Sequence, residues 1–252
     1  MLTRGLRGVH DAFTWLTVAP LPQPRGEFDR RRGGTVITAV PLVGLVLGAL
    51  GCGIAFALTR TDLPAVLIGA AVVAFLALAT RGMHLDGLAD TVDGLGSYGD
   101  PDRVRQIMRT GDVGPFGAAA LALVVLIQSV AFGAFATAAA GWAGWGQIAL
   151  VVFVSRATVP LVCRRGLAAA NADGFGALVA DSQGVSAAFW AVVAVGAACA
   201  VSVQAAVTVT LVLAFAWVFT RHCARRTGGI TGDVIGATIE LSATLTAVGL
   251  LL

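Results

Sequence analysis

The chain has 252 residues, 57% of them hydrophobic and 12% charged, with a formal net charge of +3 and a mean hydropathy of +0.86. An ordinary soluble domain carries about 25% charged residues, so this composition excludes the soluble globular class.

In chain order, residues 1–33 form an arginine-containing segment with apolar positions at Leu6, Val9, Phe13 and Leu16. That spacing predicts an interfacial amphipathic helix, with a solvated tail as the alternative. No secretory leader is expected, because the first apolar run begins only near Thr35. Four stretches then lack charge altogether: Gly33 to Thr59, Leu63 to Thr80, Val113 to Ser155 and Ser182 to Thr220. A crossing needs about 20 apolar residues, so the two longest stretches each fit two helices. Spans are expected near 35–58, 63–81, 116–138, 146–163, 185–204, 206–220 and 236–252. The predicted fold is all-α: one polytopic membrane bundle over 1–252, with about seven transmembrane helices. Gly44 and Gly48 form a GxxxG packing signal with no functional content. Cys52, Cys163, Cys199 and Cys223 are scattered without a CxxC pair and are expected to be packing residues.

Arginine sets the orientation, since the chain has no lysine. A cytoplasmic N-terminus places Arg4, Arg7, Arg25, Arg30, Arg31 and Arg32 inside. It does the same for Arg81, Arg103, Arg105, Arg109, Arg164, Arg165, Arg221, Arg225 and Arg226, leaving only Arg60 clearly outside. The polar stretches 81–115, 164–184 and 221–235 then share the cytoplasmic side, and the outer connections near 140 and 205 carry no charge.

The stretch HLDGLADTVDG, His84 to Gly94, concentrates three carboxylates in this charge-poor chain. Read as a helix prolonging the second span, it puts Asp86, Asp90 and Asp93 within about 60° of one another. Leu85, Leu88, Val92 and Leu95 fall on the opposite side. Like charges on one face are favourable when a cation neutralises them. Every donor is oxygen, which suits Mg²⁺ or Mn²⁺ rather than Zn²⁺. The stripe is about 10.5 Å long, a better fit to two ions bridged by Asp90 than to one. Asp86 is expected to lie nearest the membrane. The alternative is a solvated acidic border. A second stretch, TGDVIGATIE, Thr231 to Glu240, puts Asp233 and Glu240 on one helix face with Gly236 and Ala237 between them. Glu240 at the membrane boundary is a candidate functional group, or else a buried partner of Arg156. The two carboxylate stripes are expected to converge. In PDRVRQIMRTGDVGPFG, Pro101 to Gly117, Arg105 and Arg109 stand one turn apart, and Arg225 precedes Asp233. Arginine forks bind phosphate bidentately, and plain topology charge is the alternative for each. Asp112, in the turn TGDVG, is a candidate metal ligand or a cap of the third span. Carboxylates that hold Mg²⁺ beside arginines describe a diphosphate site for phosphoryl transfer.

These blocks resemble the cobalamin-5′-phosphate synthases, or adenosylcobinamide-GDP ribazoletransferases. The family's HLDGLADxxDG and TGDxxGAxxE stand here as HLDGLADTVDGLGS and TGDVIGATIELS. Weaker similarities are VPLVGLVLGA from Val40 and SRATVPLVCRRGLAAANADGFG from Ser155. The resemblance covers essentially the whole chain, with two departures. The family's KDSRxGxxG is RTGDVGPFG here, and its ARxxGLG is ANADGFG, with Asn171 in place of a basic residue. The resemblance implies a multi-pass protein of the bacterial cell membrane whose active site faces the cytoplasm. In the implied reaction a ribose hydroxyl of α-ribazole, or of its 5′-phosphate, attacks the cobinamide-side phosphorus of adenosylcobinamide-GDP and releases GMP, with Mg²⁺ required. Asp86, Asp90, Asp93, Asp233 and Glu240 are then the catalytic candidates. Asp86, Asp90, Asp93, Asp112 and Asp233 are the metal candidates, and His84, Arg105, Arg109 and Arg225 the substrate contacts. Expected partners are the corrinoid nucleotide, α-ribazole or its phosphate, the lipid bilayer and, in an oligomer, further copies of the chain. Nucleic acid is not expected. Two rival readings are a CDP-alcohol phosphotransferase, suggested by DxxDG from Asp90 to Gly94, and an ion-coupled secondary transporter.

Overall fold

The computed structural model describes residues 2–24, 26–138 and 142–252; Arg25 and residues 139–141, where an outer connection is expected, lie outside the described residues. Among them the chain forms only helices: α1 (Leu2–Leu16), α2 (Arg30–Leu58), α3 (Ala65–Ala79), α4 (Met83–Gly96), α5 (Pro101–Met108), α6 (Pro115–Thr137), α7 (Trp142–Ala157), α8 (Val159–Val162), α9 (Gly174–Val179), α10 (Val185–Cys199), α11 (Val203–Thr227) and α12 (Gly232–Gly249).

Local chemistry sets the ends that matter. The Asp29 carboxylate caps α2 by accepting from the Arg32 N–H at 2.8 Å. Pro115 opens α6 at its first helical position, where a missing N–H costs nothing. Gly228, at φ 77°, closes α11, and the Thr231 hydroxyl accepts from the Val234 N–H to open α12. The protein is a polytopic α-helical membrane protein. Four stretches, Arg30–Leu58, Pro115–Thr137, Gly144–Val162 and Val203–Thr227, are individually long and apolar enough to cross a bilayer. Leu126, Val192, Leu211 and Val218 stand exposed on these and neighbouring helices, as lipid-facing side chains do. A helix overlaps each of the seven expected spans in order, but among the described residues α3, α10 and α12 are not individually long and apolar enough to cross. Helices α3 and α10 have 15 residues each, giving about 22 Å of rise against about 30 Å of hydrocarbon.

Two expectations need correction. HLDGLAD does not prolong the second span: α3 and α4 meet at 90°. Arg81 and Gly82 both take positive φ, 56° and 70°. The Gly82 N–H returns to the Ala77 carbonyl and the Arg81 N–H to Leu78, a Schellman stop. The second concerns α1, which is neither a solvated tail nor an interfacial helix alone. Its Asp11 is fully buried and takes a two-pronged contact from Arg32 of α2, at 2.5 and 3.0 Å.

The main core runs along the bundle through Val36, Val72, Phe132 and Val151. A second core, including Ile37, Val104, Val162, Ile230 and Val234, ties α5, α8 and the start of α12 together at one end of the bundle. The candidate site lies at that end.

Candidate active site

Helices α4 and α12 cross at a pair of glycines. A Cβ on Gly87 would meet the Asp233 Cα and carbonyl at 2.8 Å, and one on Gly236 would meet the His84 Cα at 3.1 Å. Only hydrogen side chains allow this approach, and the crossing draws the two carboxylate stripes together as their spacing predicts. Asp86 lies in the first turn of α4 and Asp233 in the first turn of α12. Two positive helix ends thus help offset their charge. Asp90 follows one turn after Asp86. Both α4 and the first turn of α12 lie outside the spans read from the sequence. Burial pushes the Asp90 carboxyl up to about 6, assisted by the charges of Asp86, Asp233 and Asp93. Asp233 is raised as well, chiefly by burial, against the lowering effect of its hydrogen bonds to Thr231 and to its own backbone. Two carboxylates pushed up in this way, beside a third, mark a site short of positive charge. Asp86 is the exposed member of the three.

Two cavities flank this crossing. One, of about 360 Å³, is lined mainly by apolar residues such as Val40, Val43, Leu47 and Ile239, with Asp86 and Asp233 also in its wall. The other, of about 510 Å³, is polar and lined by Arg105, Arg109, Asn171 and Asp173, again with Asp233. Phe175, Gly232 and Asp233 belong to both linings. The site therefore presents an apolar and a charged compartment on either side of one carboxylate.

Glu240 is buried one helix turn and more beyond this wall. Gln128 Nε2 donates to its carboxylate at 2.9 Å, and His84 Nδ1 lies 4.0 Å from its other oxygen. Arg156 Nη2 sits 3.4 Å from the same His84 nitrogen, and Arg156, Gln128 and Glu240 share the lining of a small void. Glu240 thus belongs to a buried polar group with Gln128, His84 and Arg156, bonded to Gln128 rather than paired directly with Arg156. His84 and Arg156 connect this group to the Asp86–Asp90–Asp233 set, since both line the apolar cavity.

The sequence model of the cobalamin-5-phosphate synthases matches residues 8–251. An adenosylcobinamide-GDP ribazoletransferase of Frankia casuarinae is 37% identical, over 93% of this chain and 91% of its own. Proteins of the same name from Corynebacterium efficiens (36% identical, 96% and 90% covered) and a Nocardioides species (34%, 90% and 90%) are similar along their lengths. This chain belongs to the cobalamin-5-phosphate synthase family. No solved structure matches it.

Within this site the remaining candidates separate. Asp93 accepts from the Gly114 and Gly117 N–H groups at 2.7 and 2.9 Å, capping α6 with both oxygens. Asp112 is exposed in the preceding loop, so the cap expected of it belongs to Asp93. Arg105 donates to the Thr227 carbonyl at 2.6 Å and pairs with Asp102, one edge still lining the polar cavity. Arg109 is exposed at the same cavity; Arg225 is exposed on α11 and lines neither. Asn171, where the family carries a basic residue, lines the polar cavity. Sequence spacing did not single out Trp15, Gln128 or Phe175, because each reaches the site from a distant element.

Proposed function

We propose that this cobalamin-5-phosphate synthase joins α-ribazole, or its 5′-phosphate, to adenosylcobinamide-GDP and releases GMP, at the cytoplasmic face of a bacterial cell membrane. The observation that carries the reading is Asp233, common to an apolar and an arginine-lined cavity, beside Asp86 and Asp90. The reaction needs such a border, because an aromatic nucleoside must meet a diphosphate. The family match leaves neither a phospholipid synthase nor a transporter with support.

The same observation bears on the metal. Among the described residues no three His, Cys, Asp or Glu side chains are grouped so as to hold an ion by themselves. An open, all-oxygen set fits Mg²⁺, which dehydrates reluctantly and shares its shell with waters and substrate phosphates. Asp86, Asp90 and Asp233 are the residues that would hold it. When bound, it would neutralise the diphosphate and the charge growing on the departing phosphate.

The chain's own groups do the rest. Arg105 and Arg109 bind the diphosphate from the polar cavity. The ribose hydroxyl oxygen forms a bond to the cobinamide-side phosphorus, and the bond from that phosphorus to the GMP oxygen breaks. The hydroxyl proton passes to Asp86, the solvent-facing carboxylate, and on to water. The test is GMP release by purified protein given adenosylcobinamide-GDP and α-ribazole, then CDP-diacylglycerol and an alcohol, each with and without Mg²⁺. GMP release with the first pair, only with the cation, is expected. CMP release with the second pair, or no release with the first, overturns the proposal.

A further inference from the structure

We propose that the apolar cavity roofed by Trp15 and Phe175 seats the aromatic base of the ribazole, with the Arg156 Nε–H donating to the base's free ring nitrogen. This assignment rests on the reaction proposed above.

Size is the first argument. At about 360 Å³ the cavity sits at the lower end of the roughly 300–1,000 Å³ typical of small-molecule sites. It has room for a two-ring nucleoside and none for a corrin macrocycle. Lining is the second. Ile37, Val40, Val43, Leu47, Val159 and Ile239 form the apolar body of the cavity, and Thr80, Arg81, His84, Asp86, Arg156 and Asp233 supply its polar wall. A benzimidazole suits such a space, because its body is apolar and it has a single acceptor nitrogen once its other nitrogen carries the ribose. Trp15 and Phe175, with ring centroids 6.2 Å apart, add flat aromatic surface at one side.

The third argument is an unsatisfied donor. Arg156 is 3% exposed and lines this cavity. Its Nη1 donates to the Ser155 hydroxyl at 2.9 Å and its Nη2 faces His84, but its Nε has no hydrogen-bond partner. A buried N–H without an acceptor is unfavourable, and a small rotation of the Arg156 guanidinium onto a ligand acceptor in this cavity corrects that defect. A base seated against Arg156 directs its ribose outward to Asp86 and Asp233. There the hydroxyl meets the diphosphate held in the polar cavity.

Three measurements test this on the purified full chain. Steady-state GMP release is followed while α-ribazole and adenosylcobinamide-GDP are varied separately. Val43→Phe and, independently, Ile239→Phe fill the cavity. Each is expected to raise KM for α-ribazole at least tenfold and leave KM for the corrinoid diphosphate within twofold, and an imidazole α-riboside is expected to recover part of the loss. Next, the parent is expected to prefer a benzimidazole over an indole α-riboside by about tenfold in kcat/KM. Arg156→Lys, which keeps the charge but removes Nε, is expected to erase that preference. A change confined to the corrinoid diphosphate, an equal change in both substrates, or a preference that survives Arg156→Lys overturns the assignment. Finally, calorimetric binding of α-ribazole is measured with adenosylcobinamide-GDP present and Mg²⁺ withheld. Binding that is lost in Val43→Phe supports the cavity even if the parent proves unable to release GMP, in which case the reaction alone has failed. No binding by the parent overturns the cavity.

Discussion

Replacing Gly87 by alanine tests whether the crossing of α4 and α12 sets the chemistry. The added methyl would stand 2.8 Å from the Asp233 Cα and carbonyl oxygen, about 0.6 Å inside ordinary contact at 3.4 Å. Both obstacles are backbone, so no rotamer relieves them. Helices α4 and α12 must part by about that distance. Overpacking of this kind costs about 1–3 kcal/mol, offset by about 1 kcal/mol of better helix propensity. The fold therefore survives. Catalysis is less forgiving: a 1 Å misplacement can cost about 10²-fold, so a shift of about 0.6 Å should cost about tenfold in kcat. Gly236→Ala meets backbone at 3.1 Å, needs only a few tenths of an ångström, and should lose less. Gly53→Ala, with nothing within 4 Å of its Cβ, should turn over like the parent. The assay is GMP release alongside thermal unfolding in detergent. If Gly87→Ala keeps kcat within twofold, the carboxylates do not depend on this contact and the site is built some other way.

Removing any one carboxylate of the trio, as in Asp86→Ala, Asp90→Asn or Asp233→Asn, should lower GMP release at saturating Mg²⁺ by at least 10³-fold with the protein still folded; near-parental turnover in any of them removes that residue from the site. The raised Asp90 carboxyl also makes a pH prediction. Its folded value of about 6 exceeds the ordinary 3.8, so its stabilising share is complete below 3.8 and lost as pH rises through 6. Mg²⁺ competes with that proton and should raise the melting temperature at pH 7.5 far more than at pH 5, and Asp90→Asn should flatten the difference. Asp93→Ala deletes the α6 cap and should lower stability by about 1–2 kcal/mol; an unchanged unfolding midpoint would show that the cap carries no weight. Arg109→Lys should lower kcat because an ammonium offers no fork, while Arg225→Lys, away from both cavities, should not. Equal rates for the two variants would make Arg109 a topology charge.

The fold class was legible because four charge-free stretches in 252 residues have few uses other than crossing a bilayer. The convergence of the stripes was legible too, since Gly87 and Gly236 sit among the very carboxylates they bring together. The right-angle turn before α4 was missed although its signal was present. Gly82 is a helix stop, but an apolar run on one side and an amphipathic pattern on the other read as one continuous helix. Asp93 was misassigned for a related reason. Wheel geometry groups it with Asp86 and Asp90, whereas only the fold reveals that the N-terminus of α6 faces it. The cavities were beyond sequence reasoning, because Trp15, Arg156 and Phe175 meet from three separate parts of the chain. Glu240 was weighed against a direct pairing with Arg156, whereas the fold gives its carboxylate to Gln128 and sets His84 between it and the guanidinium.

The buried clasp between Asp11 and Arg32 has a consequence for how small this protein can be made. It pins the first helix across the bundle, and Trp15 and Leu16 become part of the apolar cavity's wall. That helix works as a keystone of the cavity. A shortened chain that begins at α2 would keep every aspartate of the two motifs and every long crossing, yet it would leave the nucleoside chamber open along one side. Excising through Leu16 takes the keystone out.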